Sequence, residues 1–162
     1  MLHNKWTYWE GPRLKAELPI KWEVVKDPIN EGMVLNTFDS AAIGGAYGTA
    51  DIVTKKKYND FRLHIEFLIV NKGGNSGVYL QNRYEIQIKD GDSTKLGLGA
   101  VINEKSAPYD MYNGLGKWNS YDIKFKAARF IKDSIIDQQK VTVYLKEKLI
   151  HDTFNIKKFE KF

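Results

Sequence analysis

Short runs in which apolar and polar residues alternate, broken by Gly, Asn and Asp, are the feature that most constrains how this chain can fold. The clearest run is residues 60–70 (DFRLHIEFLIV), where every second residue from Phe61 to Ile69 is apolar. Such alternation places successive side chains on opposite faces of a β-strand. No window of helical spacing continues beyond about two turns. The pattern therefore predicts an all-β domain, a sandwich of two antiparallel sheets.

Further strands are predicted from shorter runs, whose apolar positions give their inward faces. In residues 118–130 the predicted inward side chains are Tyr121, Ile123 and Phe125. Residues 140–154 predict a hairpin that turns at a Lys-Glu-Lys segment. The other predicted strands share β-branched and aromatic residues between turn residues: 21–25, 32–36, 48–56, 76–81, 83–90 and 98–104.

A single domain is expected from the length of 162 residues. Residues 1–20, with two Trp and two Pro, predict an extended arm lying on that domain, and residues 21–162 predict one β-sandwich. The irregular, aromatic segment 106–117 is typical of a loop that carries a site. There is no Cys, which excludes disulfides and thiolate metal sites. We expect a soluble protein, because no apolar run reaches the ~18 residues of a membrane span and no secretory signal opens the chain.

The charge balance gives 25 basic against 20 acidic residues, a formal net charge of +5. The basic residues are scattered, with tight runs only at 55–57 and 157–158, whereas nucleic-acid binders concentrate them on one face. We therefore expect neither a nucleic-acid partner nor a membrane partner. His64 and His151 do not define a metal site, so no cofactor is predicted and a divalent metal stays open.

The polar positions of residues 73–91 (GGNSGVYLQNRYEIQIKDG) are unusual for a strand exposed to solvent. If the strand register continues through the bend at Asn82, five planar or charged side chains share one face, and a slip of one residue would break this alignment. Those five are Tyr79, Gln81, Arg83, Glu85 and Gln87.

Two interpretations of this face remain open. It is either a solvated outer face, on which Arg83 and Glu85 form weak pairs with their neighbours, or a carbohydrate groove. The groove is favoured because amide, guanidinium and carboxylate groups hydrogen-bond sugar hydroxyls, and the Tyr79 ring can stack on a pyranose. Asn75 adds another amide, and the adjacent glycines let a ligand approach the backbone.

An ordinary glycosidase needs two carboxyl groups that flank the scissile bond. Retaining glucanases with a concanavalin-like sandwich carry them in a Glu-x-Asp-x-x-Glu pattern on one strand. Here Glu85 fits the first position, Gln87 replaces the middle Asp and the shorter Asp90 replaces the last Glu. One carboxylate is thus well placed for catalysis, and a retaining pair is poorly supported.

Five blocks, in order, resemble the 3-keto-disaccharide hydrolase domain family: 51–67, 74–90, 98–102, 116–130 and 141–152. The resemblance covers residues from about 48 to 154. It implies a concanavalin-like jelly-roll sandwich that acts on 3-keto-glycosides. It also implies a periplasmic or extracellular protein, if a signal has been removed.

The chemistry implied by the resemblance needs only one base. A ketone at C3 acidifies the C2 proton, and the enolate formed by its removal expels the C1 substituent before water adds back. We expect Glu85 to be the base and Arg83, Lys55 or Asn75 to stabilise the enolate oxygen. The expected substrate-binding residues are Tyr79, Gln81, Gln87, Asp90 and Trp118, the last as a stacking wall.

The chain departs from the family pattern at its end, where the expected closing strands do not follow residue 154. An uncovered sheet edge of this kind would let two copies associate. The competing expectations are a non-catalytic carbohydrate-binding sandwich and an inactive, truncated relative.

Overall fold

The computed structural model describes residues 4–8, 22–36, 51–91, 94–108 and 111–157. Every named element within these ranges is a β-strand, and all strand pairs are antiparallel, which confirms the predicted fold class. No helix in this described part of the chain is long and apolar enough to cross a bilayer. The strands are β1 Trp6–Tyr8, β2 Glu23–Lys26, β3 Met33–Asn36, β4 Ile52–Thr54, β5 Phe61–Leu68, β6 Asn75–Leu80, β7 Tyr84–Lys89, β8 Trp118–Lys126, β9 Arg129–Ile131, β10 Ser134–Asp137, β11 Lys140–Leu145 and β12 Lys148–Asn155.

The chain divides into two compact units, of which the first spans residues 1–57 and also includes Phe162. In this unit β2 and β3 form a hairpin, and β1 pairs with β4. Part of the predicted arm is therefore a strand. Residues 9–20 of that arm lie outside the described residues, so the boundary predicted at residue 20 stays a prediction.

The second unit, residues 58–161, contains a four-stranded sheet in the order β12-β11-β8-β5. Tyr121, Ile123 and Phe125 of β8 are 0%, 1% and 3% exposed, so the predicted inward face is confirmed. The β6–β7 hairpin packs on the same core, with the Tyr84 and Phe125 ring centroids 6.0 Å apart. The unit thus has two layers, with its core between the sheet and the hairpin.

The prediction of a strand at residues 98–104 is wrong. This segment forms turns, because Gly99 and Asn103 adopt φ values of +74° and +61°, and only Val101 makes bridges, to Ile86 and Lys105. The segment nevertheless follows the free edge of β7 with backbone hydrogen bonds of 2.9 to 3.1 Å.

The β9–β10 hairpin is an element that the sequence pattern did not reveal. Its turn is formed by Lys132 and Asp133 rather than by Gly or Asn, and Lys132 adopts a φ of +52°. Without the usual turn residues, the segment reads as a continuation of the preceding strand.

Candidate active site on the β6–β7 hairpin

The hairpin of β6 and β7 presents one apolar and one polar face. Val78, Ile86 and Tyr84, at most 8% exposed, lie on the apolar face that packs into the core. Three cross-strand pairs make the opposite face, called the polar face below: Asn75 with Lys89, Gly77 with Gln87, and Tyr79 with Glu85.

The Glu85 carboxylate has a fixed position on this face. The Tyr79 hydroxyl donates a hydrogen bond of 2.7 Å to its Oε2 atom, and the carboxylate is half-buried. A Cβ at Gly77 would lie only 1.9 Å from Glu85 Oε1 and 2.6 Å from Cδ. The carboxylate therefore lies across β6 in space that only a glycine leaves open, directed toward the neighbouring Gly77–Gln87 pair.

Gln87 is 6% exposed and is covered by the segment that follows β7. Its Nε2 donates to the Leu96 carbonyl oxygen at 3.1 Å. Its Oε1 is buried and accepts no hydrogen bond from the described residues. An unsatisfied buried acceptor costs about 1–3 kcal/mol, and because the covering segment closes off this oxygen, the expected contact of Gln87 with a sugar stays a prediction.

A buried network reaches through the core to the backbone beneath the polar face. The Tyr121 hydroxyl donates to the Gln87 carbonyl oxygen at 2.6 Å, and His151 Nε2 donates to the Gly99 carbonyl oxygen at 2.7 Å. Burial raises the pKa of Tyr121 and lowers the pKa of His151, so both groups are held neutral. The four-stranded sheet thereby fixes the backbone that carries Gln87.

Arg83 and Gln81 do not share the face of Glu85, contrary to the predicted alignment. Gln81 and Asn82 adopt φ values of +53° and +55°, and this turn interrupts the alternation before β7 begins at Tyr84. The Arg83 guanidinium lies beside the Tyr84 hydroxyl, where it opposes the rise in the pKa of Tyr84 that burial causes.

The other predicted ligand-binding residues are not members of the three cross-strand pairs of the polar face. Asp90 Oδ2 accepts a hydrogen bond of 2.9 Å from the Gly73 amide, so it holds the turn before β6. Burial and the neighbouring Asp90 carboxylate raise the pKa of Tyr112 to about 12. Trp118 begins β8 on the side opposite the buried Tyr121 ring, and Lys55 follows β4 in the first unit.

Of the nine predicted residues, the structure brings four together on the polar face: Glu85, Gln87, Tyr79 and Asn75. Sequence reasoning missed Gly77 and Lys89, although strand alternation from Glu85 already placed Lys89 on this face. The role of Gly77 depends on the cross-strand register, which the sequence does not state. No cluster of three or more potential metal ligands occurs among the residues that the structure describes.

Comparison with known proteins adds two findings. A model of the 3-keto-alpha-glucoside-1,2-lyase-like domain matches residues 4–161 of this chain. The fold is similar to that of a protein from Parabacteroides distasonis ATCC 8503, provisionally named a glycosyl hydrolase, with 28% sequence identity and a TM-score of 0.63. The similarity covers 68% of this chain and 52% of that protein, so this chain spans about half its length. No protein of curated function matches. Both findings support a carbohydrate-active protein.

Proposed function

Because the chain belongs to the 3-keto-alpha-glucoside-1,2-lyase-like domain family, we propose that it cleaves the glycosidic bond of 3-keto-glycosides at the polar face. The observation that carries this proposal is the Glu85 carboxylate, held by Tyr79 over the backbone of Gly77. A single carboxylate in a fixed position suits an elimination, whereas ordinary glycoside hydrolysis requires two.

In the proposed reaction, Glu85 removes the proton at C2 of the sugar, which the C3 ketone has made acidic. The electrons of the C2–H bond form the enolate. The enolate then re-forms the ketone and a C1–C2 double bond, while the C1–O bond breaks and its electron pair leaves with the aglycone oxygen. That oxygen takes up the proton that Glu85 removed, which returns Glu85 to the carboxylate. Water finally adds across that double bond, with hydroxyl at C1 and a proton at C2. The carboxylate thus acts first as general base and is regenerated.

The enolate oxygen needs hydrogen-bond donors on the side of the sugar away from Glu85. Asn75 and Lys89, the next pair along the polar face, carry an amide and an ammonium group. Successive rows on one face lie roughly 7 Å apart, so a sugar that lies over the carboxylate, which occupies the space above Gly77, extends toward these donors. In this proposal Asn75 keeps the role expected from the sequence, and Lys89 takes the role of cationic donor that was expected of Arg83.

Gln87 and Tyr79 fit the role of positioning residues in this scheme. Displacement of the covering segment would let Gln87 Oε1 accept a bond from a sugar hydroxyl, which would satisfy an otherwise unpaired oxygen. Tyr79 orients the base through its hydrogen bond to Oε2.

The test is release of aglycone from a 3-keto-glucoside by the intact chain and by Glu85→Gln. The amide keeps the shape of the side chain but cannot accept the proton, so turnover should fall by at least about 100-fold, the usual contribution of a general base. Equal thermal unfolding temperatures of the two proteins would show that the fold is retained. Binding of the sugar without turnover in both proteins would instead support a non-catalytic carbohydrate-binding domain.

A further inference from the structure

The outward face of the four-stranded sheet carries a group of cations that the proposed reaction does not use. Alternation along β5, β8 and β11 places four of them on the side away from the core. Arg62 lies directly opposite Lys124, and Lys126 lies directly opposite Lys140.

Like charges in directly opposed positions destabilise a sheet, and this face contains two such pairs in adjacent rows. Asp137 offsets part of the charge, because Lys126 and Lys140 each donate to its carboxylate at 2.8 Å. Arg62 makes no hydrogen bond or ion pair with the described part of the chain. Asp122 lies on this face too, opposite His64 in the next row, so the positive charge that remains is concentrated in the row of Arg62 and Lys124.

Three of these cations, Lys124, Lys126 and Lys140, line a hollow. Its walls are formed by Lys124, Phe125, Lys126, Lys140, Thr142 and Thr153. Thr153 has a φ of +42°, a left-handed conformation that is rare for a β-branched residue, and its amide donates to Thr142 Oγ1 at 3.2 Å. Strained backbone of this kind is concentrated at ligand sites.

We propose that this basic hollow binds an acidic polysaccharide through the carboxylate or sulfate groups of its sugars. The methylene stems of the lysines and the methyl groups of the threonines provide apolar walls for the C–H face of a pyranose. The lysine ammonium groups and the Arg62 guanidinium, in the row of Lys124, then pair with the anionic groups, while Asp137 is shared by Lys126 and Lys140.

A nucleic acid fits the hollow less well, because single strands bind by stacking their bases on exposed aromatic rings. Phe125 is only 3% exposed, and Lys124 Nζ lies over the Tyr144 ring, 5.6 Å from its centroid. The site is separated from the polar face by the core, so it extends the proposed function without depending on it.

The test is binding of the intact chain to polygalacturonate, dextran sulfate and neutral dextran at 50 and 200 mM salt. By analogy with single strands of nucleic acid, affinity should fall roughly 50-fold over this range for four ionic contacts and roughly sevenfold for two. The variant Arg62→Gln/Lys124→Gln should therefore bind more weakly and show the shallower dependence. The control Lys132→Gln/Lys148→Gln removes the same charge elsewhere and should bind like the unmodified chain.

Binding of only one polyanion supports the proposal and identifies the group, carboxylate or sulfate. Equal affinity for neutral dextran, or for single-stranded DNA of matched charge, would overturn it. Equal weakening by the two double variants would also overturn it, since net charge rather than the hollow would then account for binding.

Discussion

At the scale of single residues, the position of the Glu85 carboxylate depends on the absence of a side chain at Gly77. Burial and a hydrogen bond alone would leave the side chain several rotamers, but the bare backbone of Gly77 selects the one that lies across β6. Gly77 does not adopt a positive φ. A glycine is therefore needed here to leave room for the Glu85 carboxylate and not to permit an unusual backbone conformation.

The substitution Gly77→Ala should therefore abolish most turnover while the chain stays folded. Its Cβ would displace Glu85 Oε1 from a distance of 1.9 Å, and a shift of about 1 Å in a catalytic group can cost about 100-fold in rate. The measurement is kcat on a 3-keto-glucoside together with the unfolding temperature. Ser76→Ala, on the opposite face of the same strand, is the control and should keep its activity. Full activity of Gly77→Ala would contradict the assigned position of the base.

At the scale of elements, alternation predicted the strands well wherever the backbone stayed extended. In β7 it identified Tyr84, Ile86 and Ile88 as inward, and their exposures are 4%, 0% and 7%. It failed at Arg83, because a turn with two left-handed residues precedes the strand. Residue identity alone does not reveal such a turn when Gln occupies a left-handed position, which glycine usually takes.

For the segment after β7, the sequence predicts the burial correctly but the secondary structure wrongly. Its apolar residues are buried as in a strand, with Val101 at 1% exposure, yet Gly99 bends it away from regular pairing. The burial of this segment can be predicted from its apolar residues, whereas its bend depends on contacts with the other layer.

The substitution Gly99→Ala should destabilise the chain and release this segment from β7. Gly99 combines a φ of +74° with a crowded position, since an added Cβ would lie 2.8 Å from Ile150 Cδ1. Strain of this kind costs about 1–3 kcal/mol. At about 2–4 °C per kcal/mol for a chain of this size, the unfolding temperature should fall by several degrees. Hydrogen exchange should become faster at the amides of residues 99–102.

The matched control is Gly114→Ala, at a φ of +92° where an added Cβ meets nothing within 4 Å. Both variants carry the cost of a left-handed alanine, so the difference between them isolates the crowding against β12. Equal destabilisation by the two would show that contact with Ile150 contributes nothing.

At the scale of the whole second unit, stability depends on a histidine that joins its two layers. The sequence predicts a hairpin over residues 140–154 but not its register, and register shifts between β11 and β12 turn both Ile150 and His151 inward, to 3% and 1% exposure. Bulges of this kind depend on pairing between strands and are not visible in the alternation of one strand.

The free energy of unfolding should accordingly fall as the pH is lowered through the ordinary histidine range. Burial, and to a smaller extent the nearby Lys105 charge, lower the pKa of His151 below 6.5, while its bond to Gly99 opposes the shift. Below about pH 6.5, His151 is therefore protonated in the unfolded chain but stays neutral in the folded chain. The contribution of His151 is therefore complete above that pH, and its loss approaches about 1.4 kcal/mol per pH unit below it.

Urea unfolding at pH 7.5, 6.5 and 5.5 measures this dependence, and His151→Gln should flatten it even if that variant is less stable throughout. His64 provides the control, because it is exposed and paired with Asp122 at 2.8 Å. In His64→Gln the free energy of unfolding should still fall as the pH is lowered below 6.5. A loss of the same size in His151→Gln would assign the dependence to other groups.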